Sequence, residues 1–118
     1  MSSLNTFGAI LTYAIEQEAR LSDYYKKVGN AEQSSAADKR KGKLERGRSL
    51  YVLEITLEPI EGLDETNYAM NLDDTSAAGQ KAVAATAARF YSEVAPSINV
   101  RDAQRILEKC GKEYTALA

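Results

Sequence analysis

A carboxylate stands where an apolar side chain is expected. Leu4, Phe7, Leu11, Ala14, Leu21, Tyr25 and Val28 recur at alternating three- and four-residue steps, and the member missing from that ladder is Glu18. Such a ladder is the buried seam of a packed helix. An ionised carboxylate in a seam is expensive unless a cation, a metal or hydrogen-bond donors meet it. Further along, Glu54, Glu58 and Glu61 follow i, i+4, i+7 spacing and share one helix face. Oxygen-only ligation of that kind suits a hard cation better than zinc. Glu16 lies off the ladder and reads as exposed. The seven tyrosines mostly fall at core spacing, where a ring packs and a hydroxyl finds a partner.

Other chemistry is excluded by what the chain lacks. It has no histidine, so neither a Ser-His-Asp nor a Cys-His pair can be assembled. The single cysteine, Cys110, cannot form an intramolecular disulfide and sits at core spacing in the last predicted helix. Gly42 and Gly47 lie within a helical pattern, not in a strand-to-helix phosphate loop. The net charge of −2 gives no broad pull toward nucleic acid. The basic cluster of Lys39, Arg40, Lys41, Lys43, Arg46 and Arg48 lacks interleaved aromatics and reads as a solvated helix face. No leader pattern opens the sequence and no stretch reaches membrane-span length, so a cytoplasmic protein is expected.

The elements that must position Glu18 are helical. Period-two alternation is absent, and the 44% apolar and 27% charged residues are ordinary for a globular chain. The first helix closes at Gly29-Asn30, a C-cap pair. The second is expected to start between Ser34 and Asp38 and to run through Leu50, Leu53, Leu57 and Ile60, with Pro59 bending it or bringing it near its end. Residues 63 to 75 read as a long crossover, and Asp73 to Ser76 as N-cap material. The third helix spans about Ser76 to Ala95 and is closed by Pro96. Asn99 is placed to cap the fourth, which carries Val100, Ala103, Leu107, Cys110, Tyr114 and Leu117. The expectation is one all-α domain over residues 1–118, an antiparallel four-helix bundle of two helical hairpins, about 4–62 and 76–117.

The two halves share letters at matched spacing. Leu44-Glu45-Arg46 with Tyr51 matches Leu107-Glu108-Lys109 with Tyr114, and Tyr24-Tyr25 with Val28 matches Phe90-Tyr91 with Val94. In this repeat Glu18 falls on Ala84 and Glu54 on Leu117. Any site built by both halves would draw its acids from the first alone.

The segment Ala14-Ile15-Glu16-Gln17-Glu18-Ala19-Arg20-Leu21-Ser22-Asp23-Tyr24-Tyr25 resembles the first helix of the ferritin-like family, rubrerythrins in particular, in which a metal-binding Glu precedes a Tyr by seven residues. Phe90-Tyr91 is similar to the matching part of the third helix, and the long connection to the family's crossover. The resemblance implies a ferritin-like fold and, with it, iron oxidation or peroxide chemistry. The family's second motif, a Glu followed at plus three by a His, is missing. Leu57 stands three residues after Glu54, and Gly111 and Ala116 follow Glu108 and Glu113 at that spacing.

Three readings of Glu18 stay open at this point. It sits in a hydrogen-bond or ion-pair network with Tyr25, Tyr51 or Arg48; it joins Glu54 and Glu58 in a reduced metal site; or it faces solvent from a rotated seam. The first carries the expectation of a non-catalytic scaffold or interaction protein with a vestigial di-iron site and no cofactor. The alternative is an iron- or manganese-binding ferroxidase- or peroxidase-like protein with a reduced or inter-subunit site. A homodimer is expected through the alanine-rich third helix, with no nucleic-acid or membrane partner.

Overall fold

A computed structural model of the chain describes residues 7–51, 65–98 and 101–118. These form four α-helices: α1 (Phe7–Lys27), α2 (Ala31–Tyr51), α3 (Ala77–Val94) and α4 (Arg101–Thr115). Short 3-10 turns occupy Glu65–Tyr68 and Ala95–Ser97, and no strand occurs among the described residues. Of the apolar ladder of α1, Leu11, Ala14, Leu21 and Tyr25 are buried in the core and Val28 is half-buried against it, while Leu4 and the Phe7 side chain lie outside what is described.

The turn between α1 and α2 is tighter than expected. Gly29 takes a left-handed φ of +82°, which glycine adopts without a Cβ penalty. Its N–H donates to the Lys26 carbonyl, and the Asn30 N–H donates to the Tyr25 carbonyl. These two bonds make a Schellman cap. Asn30 then serves the next helix as well: its side-chain oxygen accepts from the Gln33 N–H at 3.1 Å. One residue thus ends α1 and caps α2, so α2 begins at Ala31 and not between Ser34 and Asp38. Helices joined by so short a turn run antiparallel, and α1 and α2 pack along their length.

At the start of α3, Ser76 Oγ accepts from the Gly79 N–H at 3.1 Å, and Asp74 in turn accepts from the Ser76 N–H and hydroxyl. Pro96 lies in the 3-10 turn that closes α3, and α3 packs against α4. α2 and α4 also touch, which joins the two helical pairs through one core. The connection before α3 is anchored by Tyr68, whose ring meets Phe90 edge-on at 5.1 Å and whose hydroxyl donates to Glu93 at 2.6 Å. The second-helix positions Leu53, Glu54, Leu57, Glu58, Pro59, Ile60 and Glu61, and the cap at Asn99, lie outside the described residues.

Candidate functional site

Each helix contributes one side chain to a cluster around Glu18. The carboxylate comes from α1 and is fully buried, which removes the solvent-facing reading. From α2, Arg40 Nε donates to Glu18 Oε1 at 2.9 Å. From α4, the Tyr114 hydroxyl donates to the same oxygen at 2.5 Å, and from α3 the Tyr91 hydroxyl donates to Oε2 at 2.5 Å. Among the described residues three donors converge on the carboxylate and no acceptor does, which is the pattern of its ionised form.

Arg40 is satisfied on every side. One terminal nitrogen donates to Glu113 at 2.8 Å and the other to the Tyr114 hydroxyl at 2.9 Å. Tyr114 therefore accepts from Arg40 and donates to Glu18, closing a ring of hydrogen bonds. The guanidinium also lies 4.2 Å from the Tyr114 ring centroid, within cation–π range. The Tyr91 and Tyr114 rings are nearly parallel at 6.0 Å.

The electrostatics follow from burial and pairing. Burial pushes the Glu18 carboxyl above its ordinary value; Arg40 and the two phenols pull it back, but not fully. Burial also works against the Arg40 charge, yet Glu18, Tyr114 and Glu113 outweigh it and hold the guanidinium protonated. Burial and the Glu18 charge raise both Tyr91 and Tyr114 well above the usual phenol range. Burial, then Glu18, lifts the Cys110 thiol to about 12. A thiol so placed is a packing group, since the thiolate is the reactive form.

The expected partners of Glu18 are replaced by others. Arg48 is half-buried and is not among the three donors; its place is taken by Arg40, eight residues earlier on α2. Tyr25 is buried against Tyr24, with its phenol raised chiefly by burial, and is not a donor to Glu18 either. It stands seven residues along the same helix, about 10 Å further on by helix rise. The donors are instead Tyr91 and Tyr114, the second-half counterparts of Tyr25 and Tyr51 in the repeat. The side chain of Tyr51, like Glu54 and Glu58, lies outside what is described.

Arg40 is concealed in the sequence. It reads as one charge in a solvated basic cluster, yet it is 2% exposed. Two signals mark it. Ala37, Leu44 and Gly47 are buried on α2, and Arg40 fills the step between Ala37 and Leu44. Folding the hairpin about Gly29 also sets position 18 opposite position 40. The repeat adds a third: Ala103 matches Arg40 as Ala84 matches Glu18, and both alanines are buried. The first half holds an ion pair where the second holds two small apolar residues.

The described residues do not fit the di-iron centre that the family resemblance implies. Both Glu18 oxygens are engaged by donors, and a guanidinium occupies the place beside the carboxylate that a cation would need. Among the described residues no three His, Cys, Asp or Glu side chains are grouped to hold a metal ion. No helix among them is long and apolar enough to cross a membrane. Compared with protein-family models, curated proteins and solved structures, the chain gives no match.

Proposed function

We propose that the chain is a non-catalytic, ferritin-like four-helix bundle that acts as a scaffold or interaction protein, with the first-helix ligand position converted into a structural ion pair. The observation that carries this reading is the closure of Glu18 by Arg40, Tyr91 and Tyr114. In a di-iron bundle the inward carboxylates are neutralised by metal. Here a guanidinium supplies the positive charge, and two phenols supply the remaining donors. Among the described residues the solvent-accessible acid of the cluster is the half-exposed Glu113, which is paired to Arg40, so the cluster ties the four helices together without offering a reaction.

The function is then exercised at the surface. Ala77, Ala78, Ala82 and Ala85 are exposed on α3, and small side chains let helix axes approach closely. A second copy of the chain is the occupant proposed for that face. The free, buried Cys110 accords with a reducing compartment, the cytoplasm.

Metal retention tests the reading. Protein made without a histidine tag is loaded with Fe(II) or Mn(II), desalted, and analysed for metal. The expected content is far below one ion per chain and the same in Glu18→Ala. Stoichiometric metal that disappears in Glu18→Ala would favour the carboxylate metal-protein alternative, with Glu54 and Glu58 as further ligands. For the dimer, sedimentation at micromolar concentration should give twice the chain mass; a monomer there would remove the claim.

A further inference from the structure

α1 carries a second buried ladder beside the one that holds Glu18. Ile10, Ala14, Gln17, Leu21 and Tyr24 recur at four- and three-residue steps and are all buried. Gln17 is 1% exposed, and among the described residues neither its amide nitrogen nor its amide oxygen has a hydrogen-bond partner. The other buried polar side chains on this helix are satisfied: Glu18 threefold, and Ser22 by Ser34 across the hairpin at 3.1 Å. A methionine would fill the Gln17 position at nearly the same length without leaving a donor and an acceptor unpaired. A native buried polar group of this kind calls for a partner.

Gln17 lines a cleft of about 390 Å³ between α1 and the connection that precedes α3. That volume lies in the range of small-molecule sites. Tyr13, Tyr68, Met70 and Leu72 form its other walls, and Arg20 stands at the rim with its guanidinium 5.8 Å from the Tyr13 ring centroid. The connection is held to α1 on either side of Gln17. The Tyr13 hydroxyl donates to the Tyr68 carbonyl at 3.5 Å, the Tyr24 hydroxyl to the Asp74 carbonyl at 2.7 Å, and the Lys27 ammonium to the Leu72 carbonyl at 2.7 Å. The arm between the Tyr68 and Asp74 anchors, residues 69–73, is exposed or half-exposed throughout and is held midway by the exposed Lys27 side chain on the Leu72 carbonyl.

The chemistry of the lining selects a ligand class. A primary amide presents a donor and an acceptor side by side, and its complement is a group with the same pair reversed. Carboxamides and lactams have that edge. The phenol rings, the thioether and the leucine favour a flat, apolar body. Arg20 and Asp73 at the rim balance each other in charge, so the cleft selects no net charge. We propose that this cleft binds a small, uncharged, flat molecule through a carboxamide or lactam edge that pairs with the Gln17 amide. The amide atoms are shielded from bulk water, so the ligand reaches them as the 69–73 arm yields.

Nicotinamide, uracil and 2-pyridone are suitable probes, titrated into isotope-labelled full-length protein while the side-chain amide resonances are followed by NMR. At least one should shift the Gln17 amide signals saturably at millimolar concentration or below. Its fully N-methylated analogue (N,N-dimethylnicotinamide, 1,3-dimethyluracil or N-methyl-2-pyridone), which lacks the donor, should bind at least about tenfold more weakly. Gln17→Met should lose the response while keeping the wild-type helical spectrum. Should that variant fail to fold, transfer of magnetisation from the probe ring to the Met70 and Leu72 methyl groups in the unmutated protein serves in its place. Three silent probes, an equal response to the methylated analogue, or contacts confined to another face would overturn the proposal. So would ordered waters on both amide atoms in a crystal structure with no probe response, which would leave a hydrated structural glutamine.

Discussion

Removing Glu18 alone should destabilise the protein nearly as much as removing it together with Arg40. In Glu18→Leu, the Arg40 guanidinium stays 2% exposed and loses its buried counter-ion, while Tyr91 and Tyr114 lose their acceptor. Breaking one side of a buried pair costs about 3–5 kcal/mol. Arg40 keeps its bond to the half-exposed Glu113, which sets the expectation at the lower end, about 3 kcal/mol. A chain of 118 residues has a total stability of roughly 6–18 kcal/mol, so this is a large fraction of it. In the double variant Glu18→Leu with Arg40→Met the orphaned charge is gone. Two buried hydroxyls remain unpaired, at about 1 kcal/mol or more each. The double variant should therefore recover about 2–3 kcal/mol of what simple addition of the two single losses would forfeit. Adding Tyr91→Phe and Tyr114→Phe should recover more, because both partners of each bond are then apolar. Urea unfolding at neutral pH, with m-values checked for constancy, measures all of these. Additivity within about 0.5 kcal/mol, with each single variant losing less than about 1 kcal/mol, would refute the buried pair.

Four further outcomes are expected. Because the Glu18 carboxyl titrates above its unfolded value of 4.5, its contribution is fully present below that value and is lost as pH rises through the folded pKa. The stability of the wild type minus that of Glu18→Gln should thus increase as pH is lowered from 7 toward 4.5, and a decrease over that window would contradict the assignment. Cys110, held near 12, should react with a disulfide reagent at pH 8 at a small fraction of the rate of free cysteine and label fully on unfolding; a free-thiol rate in the native state would place it at the surface. At the helix ends, Gly29→Ala should cost about 1 kcal/mol because of its positive φ. Gly79→Ala should cost about 1–3 kcal/mol because its Cβ would come within 2.6 Å of the Asp74 carbonyl oxygen. Unchanged unfolding midpoints in both variants would show these turns to be wrongly placed.

Much of the helical frame is legible in the letters, and the misses have physical causes. The ladder of α1, the left-handed Gly29, the cap at Ser76 and the stop at Pro96 are local signals, readable because a helix end must satisfy its own backbone groups. The start of α2 is hidden because Asn30 reads as the end of α1, although this one short residue serves both ends. Periodicity places Glu18 in the seam but leaves its burial open, because a rotated seam would turn it to solvent. Its partner is not legible, because Lys39 and Lys41 flank Arg40 and make a core position look like part of a charged face. Tyr91 and Tyr114 were read as packing groups, and only the crossing of the two helical pairs turns their hydroxyls onto one carboxylate. Gln17 escaped notice beside Glu18, although Ile10, Ala14, Leu21 and Tyr24 mark its position as buried.

The central claim is that a guanidinium and two phenols, not a metal, close the Glu18 carboxylate. Its most direct test is a crystal structure of protein soaked in Mn(II), examined for anomalous scattering. Arg40, Tyr91 and Tyr114 should lie on the Glu18 oxygens, with no anomalous peak within bonding distance of them. A manganese peak ligated by Glu18, with Arg40 turned away, would contradict it.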